Sequence, residues 1–159
     1  HACARSRCAA LADDSGLVVP ALGGAPGLRS ARYAGGGDEA NNALLLKNMA
    51  TLEAVDRAAF YVAVVVLLEH AAAPPPLIAE GRWHGRIATA PRGTGGFGYD
   101  PLFVADGFEQ HAAELSAEEK NRVSHRAVAV HQLLQQLQRP KGTELLYQPL
   151  YRHMRNLPQ

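Results

Sequence analysis

A chain of 159 residues is about one domain long. Hydrophobic residues make up 47% and charged residues 19%, ordinary globular usage that excludes a disordered tail, a coiled coil and a collagen-like fibre. With 16 Lys plus Arg against 15 Asp plus Glu, a net charge of +1 gives no general attraction to DNA, RNA or an anionic membrane, though it allows a local basic pocket.

In chain order, residues 1–10 are small, basic and helix-compatible. The first residue is His1 rather than Met, so an element upstream of it is expected. Cys3 and Cys8 have neither C-x-x-C nor zinc-site spacing and read as two free thiols in a reducing compartment. Residues 11–22 hold ADDSG between apolar patches, and 23–37 are turn-rich, with GGAPG and AGGG around LRSARY. Asp38 is placed as a helix N-cap, its carboxylate accepting from free first-turn N–H groups. Leu45, Met49, Leu52 and Val55 then recur at helical spacing on one face.

Residues 58–68 (AAFYVAVVVLL) read as a strand buried on both sides. At 11 residues this longest apolar run is too short for the roughly 20 of a membrane helix. A basic start followed by an apolar stretch is also lacking, so the chain is read as cytoplasmic. AAAPPP marks a surface loop. Residues 77–88 alternate, with Leu77, Ala79, Trp83 and Ile87 on the dry face and Glu80, Arg82, His84 and Arg86 on the wet one. A glycine loop at 91–98 leads to a short strand at 102–105. Ser116 and Glu119 have the spacing of a capping box. The helix after them carries a stripe of Val123, Ala127, Val130, Leu134 and Leu137, expected to dock on the sheet. Pro140 is expected to end it. No role is assigned to 141–159. Strand following strand without an intervening helix predicts α/β or α+β with a mainly antiparallel or mixed sheet.

Three clusters suggest chemistry. Gly93, Gly95 and Gly98 spell G-x-G-x-x-G, but Tyr99-Asp100-Pro101 follows where a dinucleotide fold needs a helix. The glycines make either a tight loop between strands or a wall that a planar ligand can approach closely. Phe97 and Tyr99 offer aromatic faces and Asp100 an acceptor, which suits a purine better than a phosphate. Asp13 and Asp14 are either an acidic turn or a Mg²⁺ ligand and a base for water. On a strand the two point to opposite faces. Asp14 is expected to face the cleft and Asp13 to turn away. Lys120, His125 and Arg126 are either a solvated helix face or the reader of a keto oxygen and a phosphate.

Taken in order, ADDSGL, GGAPGLRSARYAG, Asp38 with Asn41, EGRWHGRI, GTGGFGYDPLF, AAELSAEEKN and SHR resemble the inosine triphosphate pyrophosphatase family over roughly residues 9–138. The resemblance implies an α/β fold: an elongated mixed central sheet with flanking helices and two lobes around a cleft. It implies hydrolysis of noncanonical purine nucleoside triphosphates (ITP, dITP, XTP) to monophosphate and pyrophosphate, Mg²⁺ as cofactor, and a homodimer. By the same resemblance Asp14 is the catalytic and metal-linked carboxylate and Ser15 contacts substrate. Phe97, Gly98, Tyr99 and Asp100 form the base pocket, Lys120 binds substrate, and His125 with Arg126 hold the base edge. The expected partners are those nucleotides and a second copy, with no nucleic-acid polymer and no membrane. The family's first strand and its T-G-N-x-x-K phosphate loop are missing from this sequence, which reads as N-terminally truncated. Residues 1–140 are therefore read as a pyrophosphatase domain without its first segment, and 141–159 as an extension of unknown role. The competing reading is a catalytically inactive nucleotide-binding or dimerisation fragment of the same fold.

Overall fold

The structure is a computed structural model that describes residues 1–72 and 75–138. The Pro140 helix stop and the extension 141–159 lie outside the described residues, as does part of the AAAPPP loop.

Four strands form one sheet in chain order: β1 (Ala10–Val18), β2 (Ala58–Leu68), β3 (Leu77–Ile87) and β4 (Phe103–Ala105), every neighbouring pair antiparallel. The fold is thus mixed α/β, but the described sheet contains no parallel pair. The helices are α1 (Ala2–Ser6), α2 (Gly37–Asn48), α3 (Ala117–Val123) and α4 (His125–Gln138).

The register puts Leu17 opposite Tyr61 and Tyr61 opposite Trp83, so these rings and Ile87 share one sheet face. They join Leu45 and Met49 of α2, Leu102 and Phe103 in the larger of two buried clusters. The smaller cluster, on the same face, holds Ala63, Val65 and Ala79 against Ala129 and Leu133 of α4. Arg57 ties the larger group together from inside, donating to the carbonyls of Met49, Ile87 and Ala88 at 2.8–2.9 Å.

The other face of the sheet is only half covered. β2 buries Ala59, Tyr61, Ala63 and Val65, but Val62, Val64 and Val66 between them stay half-exposed, so the strand is not buried on both sides. On that face the Phe60 ring lies tilted against His84 at 5.4 Å between centres, with the Arg82 guanidinium 5.1 Å from the Phe60 ring centre.

Three helical expectations change. Leu45 and Met49 are fully buried, but α2 ends at Asn48 and Val55, in a later 3₁₀ turn, is 82% exposed. Asp38 does not cap its helix, which begins one residue earlier behind Gly36. The stripe through Val130, Leu134 and Leu137 faces solvent, with those side chains 44–50% exposed. The chain breaks at Ser124, whose backbone is extended, and this break resets the helical phase. The docked face of α4 becomes His125, Ala129 and Leu133. Gly81 makes the contact close: a Cβ there would overlap the His125 carbonyl oxygen and lie 2.5 Å from the Ala129 nitrogen. The Ser116–Glu119 capping box on α3 forms as its spacing predicts. Its two hydrogen bonds at Ser116 hold the Glu119 carboxyl below its ordinary range.

Candidate functional site

A cleft of about 360 Å³ opens where the glycine loop meets the α3–α4 break. Phe97 and Asp100 line it from the loop, Trp83 from β3, and Lys120, His125 and Arg126 from the two helices. The break at Ser124 is what assembles the cations. On one continuous helix Lys120 and Arg126 would point apart. On two helices, the Lys120 ammonium lies 5.4 Å and the Arg126 guanidinium 5.3 Å from the centre of the Phe97 ring. Both distances are within cation–π range. Phe97 itself is 58% exposed, a large aromatic surface left open beside two cations.

Asp100 sits deeper. Its carboxylate accepts from Lys120 Nζ at 2.5 Å, from the Phe97 N–H at 3.0 Å and from the Tyr61 hydroxyl at 3.4 Å. Its acceptor oxygens are engaged by the protein, so it shapes the loop and aims Lys120, where the sequence suggested direct acceptance from a base. Burial and the Asp100 charge push the Tyr61 hydroxyl well above its ordinary pKa, so it stays a neutral donor. Gly96 is required here: its φ is +75°, and a Cβ would collide with the Asp100 carboxylate.

His125 forms the floor. Its ring stacks on Tyr61 at 4.8 Å with an interplanar angle of 10° and lies 6.5 Å from Trp83. Both ring nitrogens are buried without a hydrogen-bond partner in the protein. Burial, reinforced by Arg126 and Lys120 and opposed by Asp13, pushes its pKa down to about 4. The ring is therefore neutral at pH 7 and offers one donor and one acceptor that the fold has not used.

The structure brings together Phe97, Asp100, Lys120, His125 and Arg126 as expected, but places the remaining site residues differently. Tyr99 is 2% exposed within the core, and its hydroxyl donates to the Ser30 carbonyl at 2.9 Å. Burial raises its pKa above the ordinary value. The ring lies away from the cleft, in the larger core cluster with Leu102 and Phe103. Gly98 contributes a peptide whose N–H and carbonyl are both held by α2.

At the paired acids the expected facing is reversed. Asp13 Oδ2 accepts from Arg126 Nε at 2.9 Å, so Asp13 is the acid on the cleft side. Asp14 alternates to the opposite face, is exposed, and accepts the Ser15 N–H at 2.9 Å through Oδ1. Strand geometry fixes that the two diverge, and the docking of α4 decides which one meets Arg126. Ser15 shares the Asp13 face, and its buried hydroxyl has no partner. Among the described residues no three His, Cys, Asp or Glu side chains cluster as a metal cage. Nor, among them, is any helix long and apolar enough to cross a membrane.

Sequence reasoning missed Tyr61 and Trp83, which carry the floor. Trp83 fell on the dry face of β3 and Tyr61 within a strand read as buried on both sides, but a buried ring is ordinarily core alone. A one-faced antiparallel sheet, a helix docked on it through a broken turn, and an aromatic–cation cleft at the break define an α/β protein with a single-sided ligand site. The chain belongs to the Ham1 family, whose sequence profile matches residues 1–136. It is 55% identical over 139 residues to the dITP/XTP pyrophosphatase of Aromatoleum aromaticum, covering 86% of this chain and 69% of that protein. It is 56% identical over 139 residues to the dITP/XTP pyrophosphatase of Xanthomonas campestris pv. campestris, covering 86% and 70%. Among solved structures, a HAM1 protein from Coxiella burnetii superposes with a TM-score of 0.80 at 44% identity, over 86% of this chain and 71% of that one. The Staphylococcus aureus Ham1 protein gives 0.77 at 39%, over 84% and 69%.

Proposed function

We propose that this chain is a nucleoside triphosphate pyrophosphatase that hydrolyses noncanonical purine nucleotides (ITP, dITP and XTP) to the monophosphate and pyrophosphate. The observation that carries the reading is the cleft: an open Phe97 ring flanked by two cations above a neutral His125 floor. It occurs in a chain more than half identical to proteins named for this activity. A purine ring stacks on Phe97. Hypoxanthine and xanthine carry a 6-oxo acceptor, to which Arg126 or the His125 N–H donates. Adenine carries an amino donor at that position, and a donor facing a donor leaves a buried group unsatisfied at about 1–3 kcal/mol. Lys120, held by Asp100, supplies positive charge at the mouth. The unpaired Ser15 hydroxyl is an additional substrate contact.

Asp14 is the proposed catalytic carboxylate. It lies beside Asp13 on β1 and is exposed, so it is open to a water and to a metal. Mg²⁺ prefers hard oxygen donors and needs only one or two protein carboxylates when a polyphosphate supplies the rest, and Asp14 fits that role. When bound, the ion neutralises charge on the phosphates. For Asp14 to orient and deprotonate the attacking water, the phosphates of a base held in the cleft pass over β1, the end strand of the described sheet, to its opposite face, while Asp13 keeps Arg126 on the base. Residues 1–140 then form the catalytic domain. A homodimer in the cytoplasm completes the proposal.

The test is release of pyrophosphate from ITP with Mg²⁺. Asp14→Asn should lower turnover about 10²–10⁴-fold, the usual contribution of a general base, with folding intact. Asp13→Asn should act mainly on KM. Release of orthophosphate instead of pyrophosphate, or equal rates on ATP and ITP, would overturn the reading.

A further inference from the structure

The first turn of α2 makes a contact that its own helix does not need. Asp38 Oδ2 accepts the Gly98 N–H at 2.6 Å across 60 positions of sequence. One turn later Asn42 Nδ2 donates to the Gly98 carbonyl at 2.8 Å. Residues four apart share a helix face, so one face of α2 grips both polar groups of Gly98. Asn42 is itself held, because Nδ2 also donates to the Asp38 carbonyl at 2.8 Å. The Asp38 carboxylate lies in the first turn of α2, where the helix dipole favours negative charge.

Gly98 follows Phe97 directly and has φ +62°. The Phe97 N–H is taken by Asp100, so the two successive N–H groups around the ring end on two different carboxylates. The cleft side of the loop is thereby fixed to Asp100 and its outer side to α2. Tilting the Gly98 peptide would swing the exposed ring away from the Lys120 and Arg126 cations.

The geometry points to Asp38 and Asn42 as positioning residues that set the Phe97 wall of the cleft and so the affinity for a 6-oxopurine. This rests on the reading of the cleft as the base site. Neither side chain lines the cleft, so each acts through the Gly98 peptide.

The experiment is a double-mutant cycle read by calorimetry with inosine, which lacks the phosphates. Phe97→Ala should weaken binding about tenfold or more, as loss of base stacking does. Asp38→Ala should weaken it roughly three- to tenfold. The double variant should be no weaker than Phe97→Ala alone, because Asp38 acts only through that ring. Asp38→Asn keeps an acceptor oxygen and should stay within about twofold of the parent. If Asp38→Ala fails to fold, Asn42→Ala replaces it in the cycle, with the same expectation. Unchanged binding in Asp38→Ala, additive losses in the double variant, or failure of Asp38→Asn to rescue would each overturn the inference while leaving the base site standing. If Phe97→Ala also binds inosine like the parent, the base-site reading fails and this inference with it.

Discussion

Replacing Lys120 by methionine isolates the buried charge at the heart of the cleft. The Asp100 side chain is 4% exposed and that of Lys120 18%. Methionine preserves most of the apolar stem and removes only the ammonium. Asp100 would keep the Phe97 N–H and the longer contact to Tyr61, neither of which carries a positive charge. Stranding one member of a buried ion pair typically costs about 3–5 kcal/mol. Because Lys120 keeps some contact with water, the lower end applies, about 3 kcal/mol. That is a large share of the roughly 5–15 kcal/mol that holds a domain folded. Urea unfolding should show it as a midpoint lower by about 1–2 M at a typical slope. Adding Asp100→Asn to Lys120→Met should recover part of the loss, since the stranded charge is then gone. A loss below about 1 kcal/mol for Lys120→Met, with no recovery in the double variant, would mean that the pair behaves as a solvated surface pair. The account of Asp100 as a buried organiser would then be wrong.

Two further outcomes follow from the same site. His125 has its pKa depressed to about 4 in the fold, against 6.5 when unfolded, so between these values the unfolded chain binds more protons and stability falls with falling pH. The parent should lose about 3 kcal/mol relative to His125→Phe between pH 6.5 and pH 4, and nothing relative to it above pH 7; parallel stability curves would refute the buried neutral ring. Gly81→Ala should cost about 2 kcal/mol or more, because its Cβ meets the backbone of α4, which cannot rotate aside; a thermal midpoint equal to the parent's would show that α4 docks less closely.

Much of this was legible from residue order, and the limits have physical causes. The alternation of Leu77, Ala79, Trp83 and Ile87 identified β3 and its dry face, because period two has no helical counterpart over that length. The site residues Phe97, Asp100, Lys120, His125 and Arg126 were legible as chemical types and converge as expected. The α4 face was misread because Val123, Ala127 and Val130 keep helical spacing straight through Ser124. The one local mark is Ser124 itself, an N-cap residue type whose Oγ accepts the Ala127 N–H at 3.4 Å, and the docked face begins with a histidine. The facing of Asp13 and Asp14 was misread because alternation separates neighbours without naming sides. The choice is made by Arg126, 113 positions away. Asp38 looked like a cap for the same reason: its true acceptor role involves a peptide 60 positions on.

Trp83 and His125, stacked with the buried Tyr61 ring, belong at once to the interior of the fold and to the wall of the cleft. Here any change in the floor is felt twice, in folding and in capture, and the range of tolerated residues is the overlap of two restrictions. Mass action makes the coupling run the other way as well. A ligand held against this floor at one hundred times its dissociation constant adds about 2.7 kcal/mol to the folded state. Occupancy of the cleft therefore raises the fraction of chains that are folded.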